Sequence, residues 1–122
     1  MWSRTASELR PALCQRSYST INPFKAVIAD FQIVPMGVGQ SVSHYVAACE
    51  KVLRKHKLNP KLHAYGTNVE GEWESVLAAL KECHTVLHEM GAPRVNTAVK
   101  IGTRTDKSYT MADKIEAVTT KM

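Results

Sequence analysis

The chain has 122 residues, of which 44% are hydrophobic and 22% charged, and a formal net charge of +5 at pH 7. That length suits one domain with one core, the composition excludes a wholly disordered chain, and no apolar run approaches the ~20 residues of a membrane-spanning helix. Residues 1–20 hold Arg4, Arg10 and Arg16 against Glu8, which leaves a net +3 for residues 21–122. A nucleic-acid-binding protein needs a concentrated basic face, and the run Lys51, Arg54, Lys55, Lys57 reads more simply as the wet side of a helix. The three cysteines, at positions 14, 49 and 83, form no Cys-x-x-Cys pair, which argues for a reducing compartment.

Residues 1–20 are rich in Ser, Arg and Ala, with Glu8 the lone acid. This composition predicts an import segment for the mitochondrial matrix, with cleavage after Tyr18 in Arg16-Ser17-Tyr18-Ser19; a cytoplasmic protein with an N-terminal tail is the alternative. The remaining chain, 25–122, reads as one domain. Ala26 to Val34 alternates as a strand, with Val27, Ala29, Phe31 and Ile33 on one side and Ile28, Asp30, Gln32 and Val34 on the other. Pro35-Met36-Gly37-Val38-Gly39 should stop it. Ser41 is the expected N-cap of a helix whose apolar stripe is Val42, Tyr45, Val46, Cys49, Leu53 and His56, ending at Asn59-Pro60.

Lys61 to Tyr65 and Thr67 to Glu70 suggest two short strands about Gly66. The strongest helix follows, with Trp73, Val76, Leu77, Leu80, Cys83, Leu87 and Met90 on one face and Gly91 at its C-terminal cap. Arg94 to Thr105 alternates again, and Met111 to Lys121 forms a last amphipathic helix. The order βαββαβ plus a terminal helix suits an α+β, ferredoxin-like sandwich, with both interior helices on one face of a four-stranded sheet. The other face would carry Ala26, Ile28, Val34 and Ala98, which implies a homo-oligomer to cover it.

No standard catalytic constellation is present. Gly37-Val38-Gly39 lacks the Gly-Lys-Ser/Thr ending of a phosphate loop, and His84 and His88, although one turn apart, belong to no His-Glu-x-x-His motif, so no metal is assigned. Cys49 and Cys83 fall in apolar stripes and read as core groups. His44 and His63 have no evident Ser or Cys partner. The informative run is Gly66-Thr67-Asn68-Val69-Glu70-Gly71-Glu72. There a hydroxyl that donates and accepts lies three residues from a carboxylate that only accepts. The two suit a ligand with an exocyclic amine and ring nitrogens, or simply a turn cap and a helix start.

Pro35-Met36-Gly37, Ser41, Tyr45-Val46, Gly66-Thr67-Asn68-Val69-Glu70-Gly71-Glu72-Trp73, Arg94-Val95, Lys100, Arg104, Asp106-Lys107 and Lys114 together resemble the thiamine-binding protein family. The resemblance spans Ala26 to Lys121 and departs at Gly102, where an acidic residue would be expected. It implies a non-catalytic, oligomeric binder of thiamine or its hydroxymethylpyrimidine part, a dimer or tetramer built through the sheets. It assigns Glu70 to the aminopyrimidine, Thr67 to a ring nitrogen, Ser41 to the wall, and Arg94 to ordering Glu70 or meeting an anion. No cofactor beyond that ligand, no nucleic acid and no membrane partner is implied. A regulatory module acting through homo-oligomerisation without thiamine is the alternative reading. An enzyme acting on a thiamine fragment would have to rely on Glu70 or His63 as its base.

Overall fold

The computed structural model describes residues 21–122, and the targeting segment assigned to 1–20 lies outside them. Strand β1 (Val27–Met36) leads to helix α1 (Ser43–Lys55), the hairpin β2 (Lys61–His63) and β3 (Gly66–Gly71), helix α2 (Trp73–Glu89), strand β4 (Arg94–Gly102) and helix α3 (Met111–Thr119). The four strands form one antiparallel sheet in the order β2-β3-β1-β4. This is the expected ferredoxin-like α+β sandwich with an additional C-terminal helix.

Alternation along β1 decides which face the helices cover. Val27, Ala29 and Phe31 are buried, as are Thr67 and Val69 beside them on β3. Tyr45, Cys49, Val52 and Leu53 of α1, with Val76, Ala79, Leu80, Cys83 and Leu87 of α2, close the core over them. Leu77 and Met90, expected in the α2 stripe, are exposed. The face that meets the sheet is centred on Val76, Leu80, Cys83 and Leu87, and Leu77 lies one 100° step beyond Val76. Cys49 and Cys83 are buried free thiols where the two helices meet, and Cys83 Sγ donates to the Cys49 carbonyl at 3.8 Å. A hydrogen bond with the Cys49 side chain, and then burial, push the Cys83 thiol up, away from its thiolate form.

Several boundaries differ from the sequence reading. β1 continues through Pro35 to Met36, because its pairing with β3 ends at Phe31 while pairing with β4 runs on to Met36↔Arg94. A missing N–H is tolerated on that unpaired side. Helix α1 begins one residue later than a Ser41 cap allows. Its N-cap is Val42, which makes no side-chain cap bond, and Ser41 is exposed with its hydroxyl 3.4 Å from that of Ser43. Val42 instead packs against the core, and burying its isopropyl group outweighs a cap of roughly 1 kcal/mol.

The same helix stops at Lys55, well before Pro60. Leu58 N–H donates to Leu53 O and Lys57 N–H to Arg54 O, with Lys57 in the left-handed region at φ 59°. This is a Schellman ending built without glycine. Helix α2 ends in the same motif with glycine, Ala92 N–H to Leu87 O and Gly91 N–H to His88 O, as Gly91 predicts. Ahead of β1, Phe24 O accepts the Trp73 amide at 2.9 Å and the two rings meet edge-on at 5.5 Å. The segment preceding the sheet is thereby fastened to the start of α2.

Candidate functional site

A cavity of about 190 Å³ opens on the helix-covered side of the sheet, between α1 and the β2–β3 hairpin. Phe31, Ile33, Tyr45, Cys49 and Leu87 make its apolar walls, and Leu62 and Tyr65 stand at its mouth, both exposed. The hairpin comes this close because Gly66 has no side chain. A Cβ there would lie 2.5 Å from the backbone oxygen of Phe31.

Inside this apolar shell are Thr67 and Glu50. Thr67 is the buried polar residue of the core, 3% exposed, and its hydroxyl donates to Glu50 Oε2 at 2.9 Å. The other Glu50 oxygen has no bond among the described residues. A hydroxyl holding a carboxylate in place, with acceptor capacity to spare, is the kind of sparse polar pair that orients a ligand in an apolar cleft. Glu50 was not singled out by motif. Its signal is position, one turn after Val46 on the side of α1 that faces the cavity.

Thr67 and Glu70 are not brought together. Residues three apart on a strand point to opposite faces, and Glu70 pairs with Ile28 on the open face. Its carboxylate is occupied there. Oε2 accepts from Asn59 Nδ2 at 2.7 Å, and Oε1 accepts from the Met111 amide at 2.9 Å. Glu70 thus ties the first turn of α3 to the sheet, where a carboxylate also complements the helix dipole.

Arg94 does not order Glu70. It pairs with Met36 while Glu70 pairs with Ile28, which puts ~27 Å of strand between them at ~3.4 Å per residue. Ser41 lies outside the cavity, whose wall is supplied by its neighbour Val42. His63 lines the rim but bonds Asp30 Oδ1 at 2.7 Å. His84 bonds the Thr97 hydroxyl at 2.6 Å, and His88 donates to the Ala92 carbonyl at 2.8 Å, so each ring of that helical pair has its own partner.

The sequence pattern of the thiamine-binding protein family matches residues 29–119, which takes in all the strands and helices described above but the first two residues of β1. A UPF0045 protein of Synechocystis is 52% identical over 94 residues, 77% of this chain and 78% of its own. A UPF0045 protein of Eremothecium gossypii is 38% identical over 96 residues, 78% of this chain and 91% of its own. Among solved structures, a Methanocaldococcus jannaschii protein of unassigned function superposes with a TM-score of 0.73 at 36% identity, covering 78% of this chain and 97% of that one. A Thermotoga maritima protein described as a candidate for thiamine biosynthesis or salvage shares the fold, with a TM-score of 0.65 at 18% identity over 76% of this chain and 98% of its own. With the pattern, the relatives and the sandwich in agreement, this chain belongs to the thiamine-binding protein family.

Proposed function

We propose that the protein binds thiamine through its aminopyrimidine half, or the hydroxymethylpyrimidine alone, without chemical turnover. The observation that carries this reading is the Thr67–Glu50 pair inside the 190 Å³ cavity. Glu50 takes the part expected of Glu70, its free oxygen accepting from the exocyclic amine, while the Thr67 hydroxyl, whose proton is given to Glu50, fixes that carboxylate in place. The cavity is smaller than the roughly 300–1,000 Å³ of pockets for drug-sized ligands. It therefore takes one ring, and the rest of the ligand lies at the mouth beside Leu62 and Tyr65. Binding is favoured over catalysis by the two groups best suited to act as a base at this cavity, since Glu50 is held by Thr67 and His63 by Asp30.

The test is thermal melting of the full chain with thiamine, its phosphates and hydroxymethylpyrimidine. A ligand at 100 times its Kd adds ~2.7 kcal/mol, and each kcal/mol moves the midpoint of a domain this size by roughly 4–8 °C. Glu50→Gln should weaken binding about tenfold or more, since a bond to a charged group contributes roughly 1.5–3 kcal/mol. Glu70→Gln should leave the affinity alone. The reverse pattern would return the role to Glu70. No shift with any of these ligands would favour the regulatory module, and turnover of the pyrimidine would make the protein an enzyme.

The reading includes a homo-oligomer, dimer or tetramer. β4 is a nine-residue outer strand whose far side pairs with nothing among the described residues, and Val34 and Met36 are exposed on the open face. Matrix import rests on the composition of residues 1–20 alone, which precede the family match at residue 29. Fusing that segment to a reporter distinguishes import from a cytoplasmic location.

A further inference from the structure

A second cavity, of about 270 Å³, lies on the opposite side of the sheet from the first. Ala26 and Ile28 form its back and Gly102 its lip, while the loop after β4 and helix α3 close it. Its lining is basic. Around the single ring of Tyr109 stand Arg104 Cζ at 5.0 Å, Lys107 Nζ at 4.9 Å and Lys114 Nζ at 5.4 Å from the centroid.

The carboxylates close by are committed elsewhere. Asp106 takes Arg104 through two nitrogens, and that guanidinium holds its carboxyl down to about 2. Asp113 accepts the Thr110 amide, and Glu70 accepts from Asn59 and Met111. Lys107 and Lys114 consequently have no ion pair among the described residues. One aromatic ring attracts a cation only weakly at an exposed site and does not offset the repulsion between two lysines beside an arginine that Asp106 alone neutralises. A multivalent anion would.

We propose that this cavity is a second binding site, separate from the thiamine cavity, for the phosphate or diphosphate group of a small molecule. Lys107 and Lys114 meet the anion as point charges, and the Arg104 nitrogen left free by Asp106 adds a directed donor. The Ser108 and Thr103 hydroxyls line the same space. A phosphate carries about −1.5 to −2 at neutral pH, enough to compensate both lysines. The concave shape and small volume admit such a group and exclude a nucleic-acid backbone, which requires an extended basic face. Since the sheet separates the two cavities, one ligand does not reach both, and the sites are occupied independently.

Calorimetry on the full chain at low ionic strength tests this with inorganic phosphate, inorganic pyrophosphate and thiamine diphosphate as probes. Pyrophosphate is expected to bind once per chain and to weaken as salt rises, because the lysines are exposed. Lys107→Ala with Lys114→Ala should reduce its affinity at least tenfold without moving the melting midpoint, and Lys107→Arg with Lys114→Arg should restore it. Tighter binding of thiamine diphosphate than of pyrophosphate would name an ester as the source, and the opposite order a free anion. Either order supports the site if the lysine pair abolishes it. Pyrophosphate binding that survives the double alanine variant, or no saturable binding up to millimolar concentration, overturns the proposal. Thr67→Val, which damages the first cavity, should leave pyrophosphate binding intact, so failure of the thiamine reading and failure of this one are told apart.

Discussion

Lys57 occupies a left-handed conformation that L-residues with side chains adopt at a cost of roughly 1–2 kcal/mol. Its N–H nevertheless closes the end of α1 on Arg54. Lys57→Gly should therefore stabilise the protein by about 1 kcal/mol, read as a higher urea midpoint at constant m. Gly66 presents the opposite case. Its replacement by Ala drives a methyl group to 2.5 Å from the Phe31 carbonyl, and relief requires the β2–β3 hairpin to move. The expected loss is about 1–3 kcal/mol in the same unfolding measurement. Thr67 was legible in the sequence as a polar residue in an informative run. Its true partner was not, because Glu50 lies 17 residues away on a different element.

At the scale of elements, α1 and α2 are joined across their exposed side by Lys55 and His56, which both bind Glu82. The hydrogen bonds from Lys55 and then His56 hold the Glu82 carboxyl below its ordinary value. A carboxyl that ionises more readily in the folded than in the unfolded chain stabilises the fold above its unfolded value. That contribution is lost as pH falls through the lower, folded value. The wild type should accordingly lose more of its melting midpoint between pH 7 and pH 3 than Glu82→Gln does. A parallel decline in both would show that this link contributes nothing.

Helix α3 is held differently. Met111 is its buried residue, its first turn is fixed by the Thr110–Asp113 capping box and by Glu70, and Ile115 and Val118 are exposed. Glu70→Ala should free that first turn, with amide exchange rising in α3 and not in α1 or α2. The helix was legible from its periodicity. Its anchor was not, since Glu70 is 41 residues from Met111 in sequence.

For the whole molecule, several large apolar side chains stand exposed, among them Val34 and Met36 on the open sheet face, Val99 on the outer strand, and Ile115 with Val118 on α3. Val34 and Met36 share the open side of the sheet with α3, and apolar groups collected there mark an interaction surface. Ile115→Glu with Val118→Glu should lower the mass measured by light scattering toward the 13.5 kDa of one chain, with helical content preserved. An unchanged oligomeric mass would move the interface to the sheet or to β4, and a wild-type mass of one chain would overturn the proposed homo-oligomer.

The element order, the inward side of β1, the glycine ending of α2 and the α+β class were all legible before folding, because each follows from local periodicity or from one residue's backbone preference. Thr67 stood out in its polar run for the same reason. Which carboxylate joins it was settled by packing alone. Strand alternation turns Glu70 to the open face, the rotation of α1 brings Glu50 to the hydroxyl, and the length of β1 keeps Arg94 far from both. Those are relations between elements distant in the chain, and they come into being when the helices pack against the sheet.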